Sequence, residues 1–169
     1  MTAEAHPPSP LDGAIPAGTF AIEASAGTGK TYALSALVAR HLAETDTTTG
    51  SVLVVTYTRA AANELRSRVR NQLIDLGRYL VADEPETTAS PWMADLRADD
   101  PDERSRRCDR VAQAVTDFDA MTVATIHSFA HQVLTSIGTA AGADPDVVVP
   151  RDPERSLADL GLRHPLLGT

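Results

Sequence analysis

The octapeptide Ala24-Ser25-Ala26-Gly27-Thr28-Gly29-Lys30-Thr31 constrains this chain more than any other segment. It matches the phosphate-loop pattern G-x-x-x-x-G-K-[ST] except at its first position, where the small residue Ala24 stands at a tight exit. Gly27 and Gly29 reach backbone angles closed to other residues. Successive N–H groups then converge on one concavity that suits a phosphate. The helix expected from Lys30 adds roughly half a positive charge at its N-terminus. In this arrangement Lys30 reaches the β- and γ-phosphates of ATP, and the Thr31 hydroxyl supplies one ligand to Mg²⁺. A plain glycine turn before a helix is the bland alternative, and the register of Gly-Lys-Thr speaks against it.

The flanking pattern alternates strands and helices. Thr19–Glu23 reads as a short buried strand. The helix from Lys30 carries Leu34, Leu37, Val38, Ala39 and Leu42 on one side. Ser51–Thr56 is a valine-rich run expected to be a strand covered on both faces. Ala60–Val81 has helical spacing of Ala61, Leu65, Val69, Leu73, Leu76 and Leu80. Ala82–Asp102, with Pro85, Pro91 and Pro101, reads as an exposed polar insertion with a helical turn at Trp92–Leu96. Glu103–Phe118 reads as a helix, Met121–Thr125 as a third strand, and Ile126–Ile137 as an amphipathic helix. The expected fold is therefore α/β, a P-loop NTPase with a parallel sheet flanked by helices. Ligands in such sheets sit at the carboxyl ends of the strands, where Ala24–Thr31, Thr56–Arg59 and Thr125–Phe129 all fall. The expected organisation is a loose, proline-rich arm at 1–17, a partial motor domain at 18–150 with its insertion near 82–102, and a tail at 151–169.

Composition narrows the class. Aromatic residues make up only 4%, so the core is expected to rest on Ala, Val, Leu and Ile. No apolar run approaches the ~20 residues of a membrane-spanning helix, and no secretory signal is visible. Cys108 is the single cysteine, which fits a cytoplasmic setting. The net charge of −8 argues against a surface coated for nucleic acid. Arg59, Arg66, Arg68, Arg70 and Arg78 nonetheless gather on one helix, either as a solvated face or as a local basic stripe. The only lysine in the chain is Lys30. A compact ammonium there suits a point contact to phosphate. The histidines show no metal-ligand spacing, and no zinc site is expected.

Three segments carry a family resemblance. "IEASAGTGKTYAL" (Ile22–Leu34), "VTYTRAAANELRSRV" (Val55–Val69) and "ATIHSFAHQVL" (Ala124–Leu134) resemble, in this order and spacing, the first motifs of UvrD-like superfamily 1 DNA helicases. The likeness covers roughly residues 19–138. It implies an RecA-like motor domain driven by Mg·ATP and acting on single-stranded DNA and duplex ends. It also implies a part in double-strand break repair and recombination, in a parent subunit with associated exonuclease activity that works beside companion subunits. It places the triphosphate and its metal on Lys30 and Thr31. It places the strand backbone on Thr56, Thr58 and Arg59, and on a second DNA-facing loop of Thr125, His127 and Phe129. Hydroxyls at strand ends hold phosphates without reading sequence, and an aromatic ring stacks on a base. Phe129 also fits the apolar stripe of Ile126 and Val133, and His127 fits a capping or packing role.

Two departures from the family pattern shape the expectation. No glutamine precedes the phosphate loop, the first being Gln72. The family's Asp-Glu at a later strand end has no counterpart: Asp83-Glu84 follows a helix, and Asp102-Glu103 follows no apolar strand. The chain is thus expected to bind Mg·ATP more readily than it hydrolyses it, and its end reads as that of a truncated product. Two other readings stand beside this one. One is a small P-loop kinase whose lid is the Arg104–Arg110 cluster. The other is a non-catalytic nucleotide- or DNA-binding module.

Overall fold

The computed structural model describes residues 11–15, 18–23, 29–83, 90–97 and 100–140. The chain divides into two units after Phe129. In the first, helix α1 (Lys30–Glu44) precedes strand β1 (Leu53–Thr56), with a 3-10 turn at Thr49–Ser51 between them. Helix α2 (Arg59–Val81), the short α3 (Pro91–Leu96) and α4 (Pro101–Thr116) follow. A second 3-10 turn (Phe118–Ala120) leads into β2 (Thr122–Thr125), and helix α5 (Ile126–Ala140) leaves it.

Helix α2 is the spine of this unit. Its apolar residues recur every three or four positions, so Leu65, Val69, Leu73, Leu76 and Leu80 share one face and are buried. The Thr58 side chain starts the helix by accepting the Ala61 N–H at 3.1 Å. Helices α1 and α4 pack on this face. Gly77 brings α4 close, since a Cβ there would lie 3.3 Å from Val111 Cγ1. Helix α4 begins at an Asp100 cap with Pro101 in its first turn and Asp102 and Glu103 beside the helix N-terminus.

β1 and β2 pair in parallel, from Leu53 opposite Thr122 to Thr56 opposite Thr125. Their carboxyl ends therefore lie side by side, and each strand feeds directly into a helix. This is the α/β pattern read from the sequence.

Four expectations change. Thr19–Glu23 forms no strand among the described residues, and Phe20 is 48% exposed. An extended run becomes a strand only when a neighbour takes its N–H and C=O groups, and no ladder partner stands beside it here. β1 is covered on one face: Val54 is buried, whereas Leu53 and Val55 are 45% and 39% exposed. The insertion is anchored, with Trp92, Met93 and Leu96 of α3 buried in the common core. The core is also less purely aliphatic than composition suggests, since Phe118 and Met121 lie in it beside Trp92.

In α5 the apolar stripe is uncovered. Ile126, Val133, Leu134 and Ile137 are all exposed.

The α2 spine sets a stability prediction. Leu73 is fully buried, so Leu73→Ala should lower unfolding stability by about 2–5 kcal/mol through lost burial and a residual cavity. Urea denaturation followed by circular dichroism measures this. A loss below ~1 kcal/mol would mean that the helix face is not the core.

Candidate functional site

Helix α1 starts at Gly29, whose φ of 84° lies in the left-handed region. Glycine adopts this angle without strain. The Gly29 carbonyl accepts the Ala33 N–H at 2.8 Å, which closes the first turn. Lys30 and Thr31 follow and are both exposed. Residues Ala24, Ser25, Ala26, Gly27 and Thr28 lie outside the described residues. A cavity of about 620 Å³ opens beside Lys30. Leu34, Leu37 and Val38 of α1 form one wall, and Phe20 and Ile22 of the preceding segment form another.

The residue after Thr31 ties this turn to the insertion. The Tyr32 hydroxyl lies 2.5 Å from Ser90 Oγ and accepts the indole N–H of Trp92 at 3.0 Å. The single tryptophan of the chain therefore reports on the first turn of α1.

The strand ends form a second cluster. Register sets Thr56 opposite Thr125. The Thr125 hydroxyl is engaged locally: it accepts the Ser128 N–H at 3.1 Å and donates to Ser128 Oγ at 2.9 Å. Thr125 and Thr58 thus act as helix caps, and Thr125 is buried. Thr56 and Phe129 are half-buried, while Arg59 and His127 are exposed. The structure brings Thr56 and Thr125 together. Among the described residues, Lys30 and Thr31 at the start of α1 are not part of this ladder.

Tyr57 was not singled out from the sequence, yet it is 85% exposed between Thr56 and Thr58. A large ring held in water at a strand end, between hydroxyls and an arginine, was the signal available.

Of the five arginines on α2, four have partners. Arg66 and Arg70 lie over the Phe118 ring at 5.9 and 5.2 Å. Arg66 also donates to the Met121 carbonyl. Arg68 pairs with Glu64, and Arg78 with Asp75. Arg59 has no ion-pair partner among the described residues. The basic stripe is therefore mostly structural.

The acidic candidates are also occupied. Glu103 accepts Arg106 and Arg107 at 2.9 and 3.1 Å. The Arg106 hydrogen bond, aided by the charges of both arginines, holds its carboxyl below the usual carboxylate range against the opposing pull of desolvation. Asp102 sits in the first turn of α4. Asp83 is exposed beyond the end of α2, and its carbonyl accepts Arg97. Arg107 also bonds the Leu96 carbonyl, and Arg110 pairs with Asp46 at 2.6 Å. The arginine cluster therefore anchors α4 to its neighbours, which argues against the kinase lid. No helix among the described residues is long and apolar enough to cross a membrane.

Residues 12–160 match the family model of the UvrD/REP helicase N-terminal domain. The RecBCD enzyme subunit RecB of Mycobacterium tuberculosis H37Rv is 42% identical over 142 residues, covering 84% of this chain and 12% of that protein. The corresponding subunit of Mycolicibacterium smegmatis is 40% identical over 82% of this chain and 13% of its own length. That of Escherichia coli K12 is 35% identical over 69% of this chain and 10% of its own. The chain thus spans about an eighth of the length of these relatives.

The Tyr32–Trp92 contact generates a prediction. Mg·ATP engaging Thr31 should change Trp92 fluorescence. Tyr32→Phe should cut that change by half or more while affinity stays within about twofold, or ~0.4 kcal/mol. Unaltered emission at saturating nucleotide would show that the first turn of α1 and α3 are uncoupled.

Proposed function

Because the chain belongs to the UvrD/REP helicase N-terminal domain family, we propose that it carries the ATP-binding part of a DNA helicase motor of the RecB type. The observation that carries this reading is Gly29-Lys30-Thr31. A left-handed glycine caps a helix whose first two side chains are an exposed ammonium and an exposed hydroxyl. Lys30 then reaches the β- and γ-phosphates, and Thr31 provides a hydroxyl ligand for Mg²⁺. The ammonium donates to phosphate oxygens and the hydroxyl is a hard oxygen ligand, a pair that fits a magnesium triphosphate. The sequence of Ala24–Thr28 fits the rest of the phosphate-loop pattern.

The adjoining ends of β1 and β2 form the DNA-facing edge. Arg59 supplies the charge for a phosphate, and Thr56 and His127 supply polar contacts. Tyr57 offers a ring for base stacking, a role the more buried Phe129 fits less well. Thr58 and Thr125 contribute by shaping the two loops as caps. The parent machine uses ATP to move along single-stranded DNA from duplex ends in break repair and recombination. It works beside RecC-like and RecD-like subunits and an exonuclease activity. The soluble, cytoplasmic setting follows from that role. For the 169-residue chain itself, the pairing of Glu103 with two arginines favours nucleotide binding over turnover.

Direct titration tests the triphosphate site. Lys30→Ala removes a charged hydrogen bond worth roughly 1.5–3 kcal/mol, so Mg·ATP affinity should fall about tenfold or more. Equal binding by both proteins would refute the assignment. The DNA edge has its own signature. Arg59→Ala should weaken single-strand binding regardless of sequence and reduce the slope of log affinity against log salt by about one. An unchanged slope would remove Arg59 from the interface.

A further inference from the structure

Arg40 is 2% exposed, the largest fully buried side chain among the described residues, and none of the motifs accounts for it. Its guanidinium donates from Nη1 to the Leu11 carbonyl at 2.7 Å and from Nη2 to the Gly13 carbonyl at 2.6 Å. Its Nε pairs with Glu44 at 2.7 Å on the next turn of α1. A planar fork spreads its donors across separate acceptors in a way that a lysine ammonium does not. Burying such a charge is costly unless its donors are satisfied, so this arrangement is a specific one.

What Arg40 holds is the chain that leads into the phosphate loop. Residues 19–23 make no ladder among the described residues, so backbone pairing does not fix this approach. Its far end is fixed at Gly29, the cap of the same helix. The described segment 18–23 thus lies in sequence between Gly13, whose carbonyl Arg40 holds, and Gly29 at the start of α1. Within it, Ile22 packs against the core, and Phe20 and Ile22 line the cavity beside Lys30. Releasing one end of a loop enlarges the set of conformations it samples, and that freedom must be lost again when a ligand is gripped.

We propose that Arg40 is a positioning residue for nucleotide binding. By holding the Leu11 and Gly13 carbonyls against α1 it presets the approach to the phosphate loop. This role rests on the reading of Lys30 and Thr31 as the triphosphate site. The bound species is a nucleoside triphosphate with its magnesium, and Arg40 acts on it only through the backbone.

Two measurements on the full chain test this. The first is hydrogen exchange without nucleotide, comparing wild type with Arg40→Met and Arg40→Lys. Exchange should rise in residues 18–23 and 29–31 and stay slow in the centre of α2. Arg40→Lys, which keeps a cation for Glu44, serves if the methionine variant does not fold. The second is titration with Mg·ATP well below the unfolding temperature. The dissociation constant should rise about five- to tenfold in Arg40→Met, the size expected for ordering a short segment on binding. The rise should be smaller in Arg40→Lys, and Glu44→Gln, which leaves the carbonyl contacts intact, should behave as wild type. Exchange that rises uniformly, or ATP affinity unchanged in both Arg40 variants, would reduce Arg40 to a structural residue and overturn the proposal. Failure of the triphosphate reading is recognised separately, by Lys30→Ala binding ATP as wild type does.

Discussion

The buried face of α2 is the constraint on which the rest of the unit depends. Leu65, Val69, Leu73, Leu76 and Leu80 give α1 and α4 a common surface, and α2 also contacts both strands. A two-stranded sheet is marginal by itself, and here it is held by the helices that flank it. The same spine fixes the ends of the strands, because α2 begins three residues after β1 ends, at the Thr58 cap. Core packing and site geometry are therefore one problem in this chain. The helix that fills the interior also sets where Arg59 and Tyr57 emerge.

Periodicity made much of this legible. The long apolar row of α2 and the short valine-rich run of β1 stand within two or three residues of their observed bounds, because each pattern matches one secondary-structure period. The parallel pairing followed from the strand–helix alternation. What the sequence did not disclose depends on partners. Thr19–Glu23 has strand composition, but a strand requires a neighbouring ladder. Trp92 sits in a proline-rich, acidic stretch that reads as surface, yet its indole finds the Tyr32 hydroxyl far away in sequence. Arg66 and Arg70 look like a solvated stripe until Phe118 is seen beneath them.

The site shows the same division. The Gly29-Lys30-Thr31 register was readable because its chemistry is local: a left-handed cap, a helix start and two side chains. The roles of Thr58 and Thr125 were half legible. Their place at strand ends was clear, but their hydroxyls turn inward to cap helices, which only the backbone geometry reveals. Arg40 was invisible as a functional candidate, since an arginine in a helix of apolar residues carries no motif. Its importance lies in two carbonyl partners from a distant segment.

On the proposed function, these residues hold a triphosphate and lack the acid needed to consume it. Glu103 is committed to Arg106 and Arg107, and Asp102 lies at a helix start. A cation delivered to the transferring phosphate is worth on the order of 10³–10⁵ in rate in related systems. Arg106, Arg107 and Arg110 of α4 are tied to their neighbours. Steady-state ATP hydrolysis by the purified chain, with and without single-stranded DNA, is the most direct test. Turnover at background in both conditions, while ATP binds, is the expected result. DNA-stimulated hydrolysis that vanishes in Lys30→Ala would contradict it and would place a working acid within this chain.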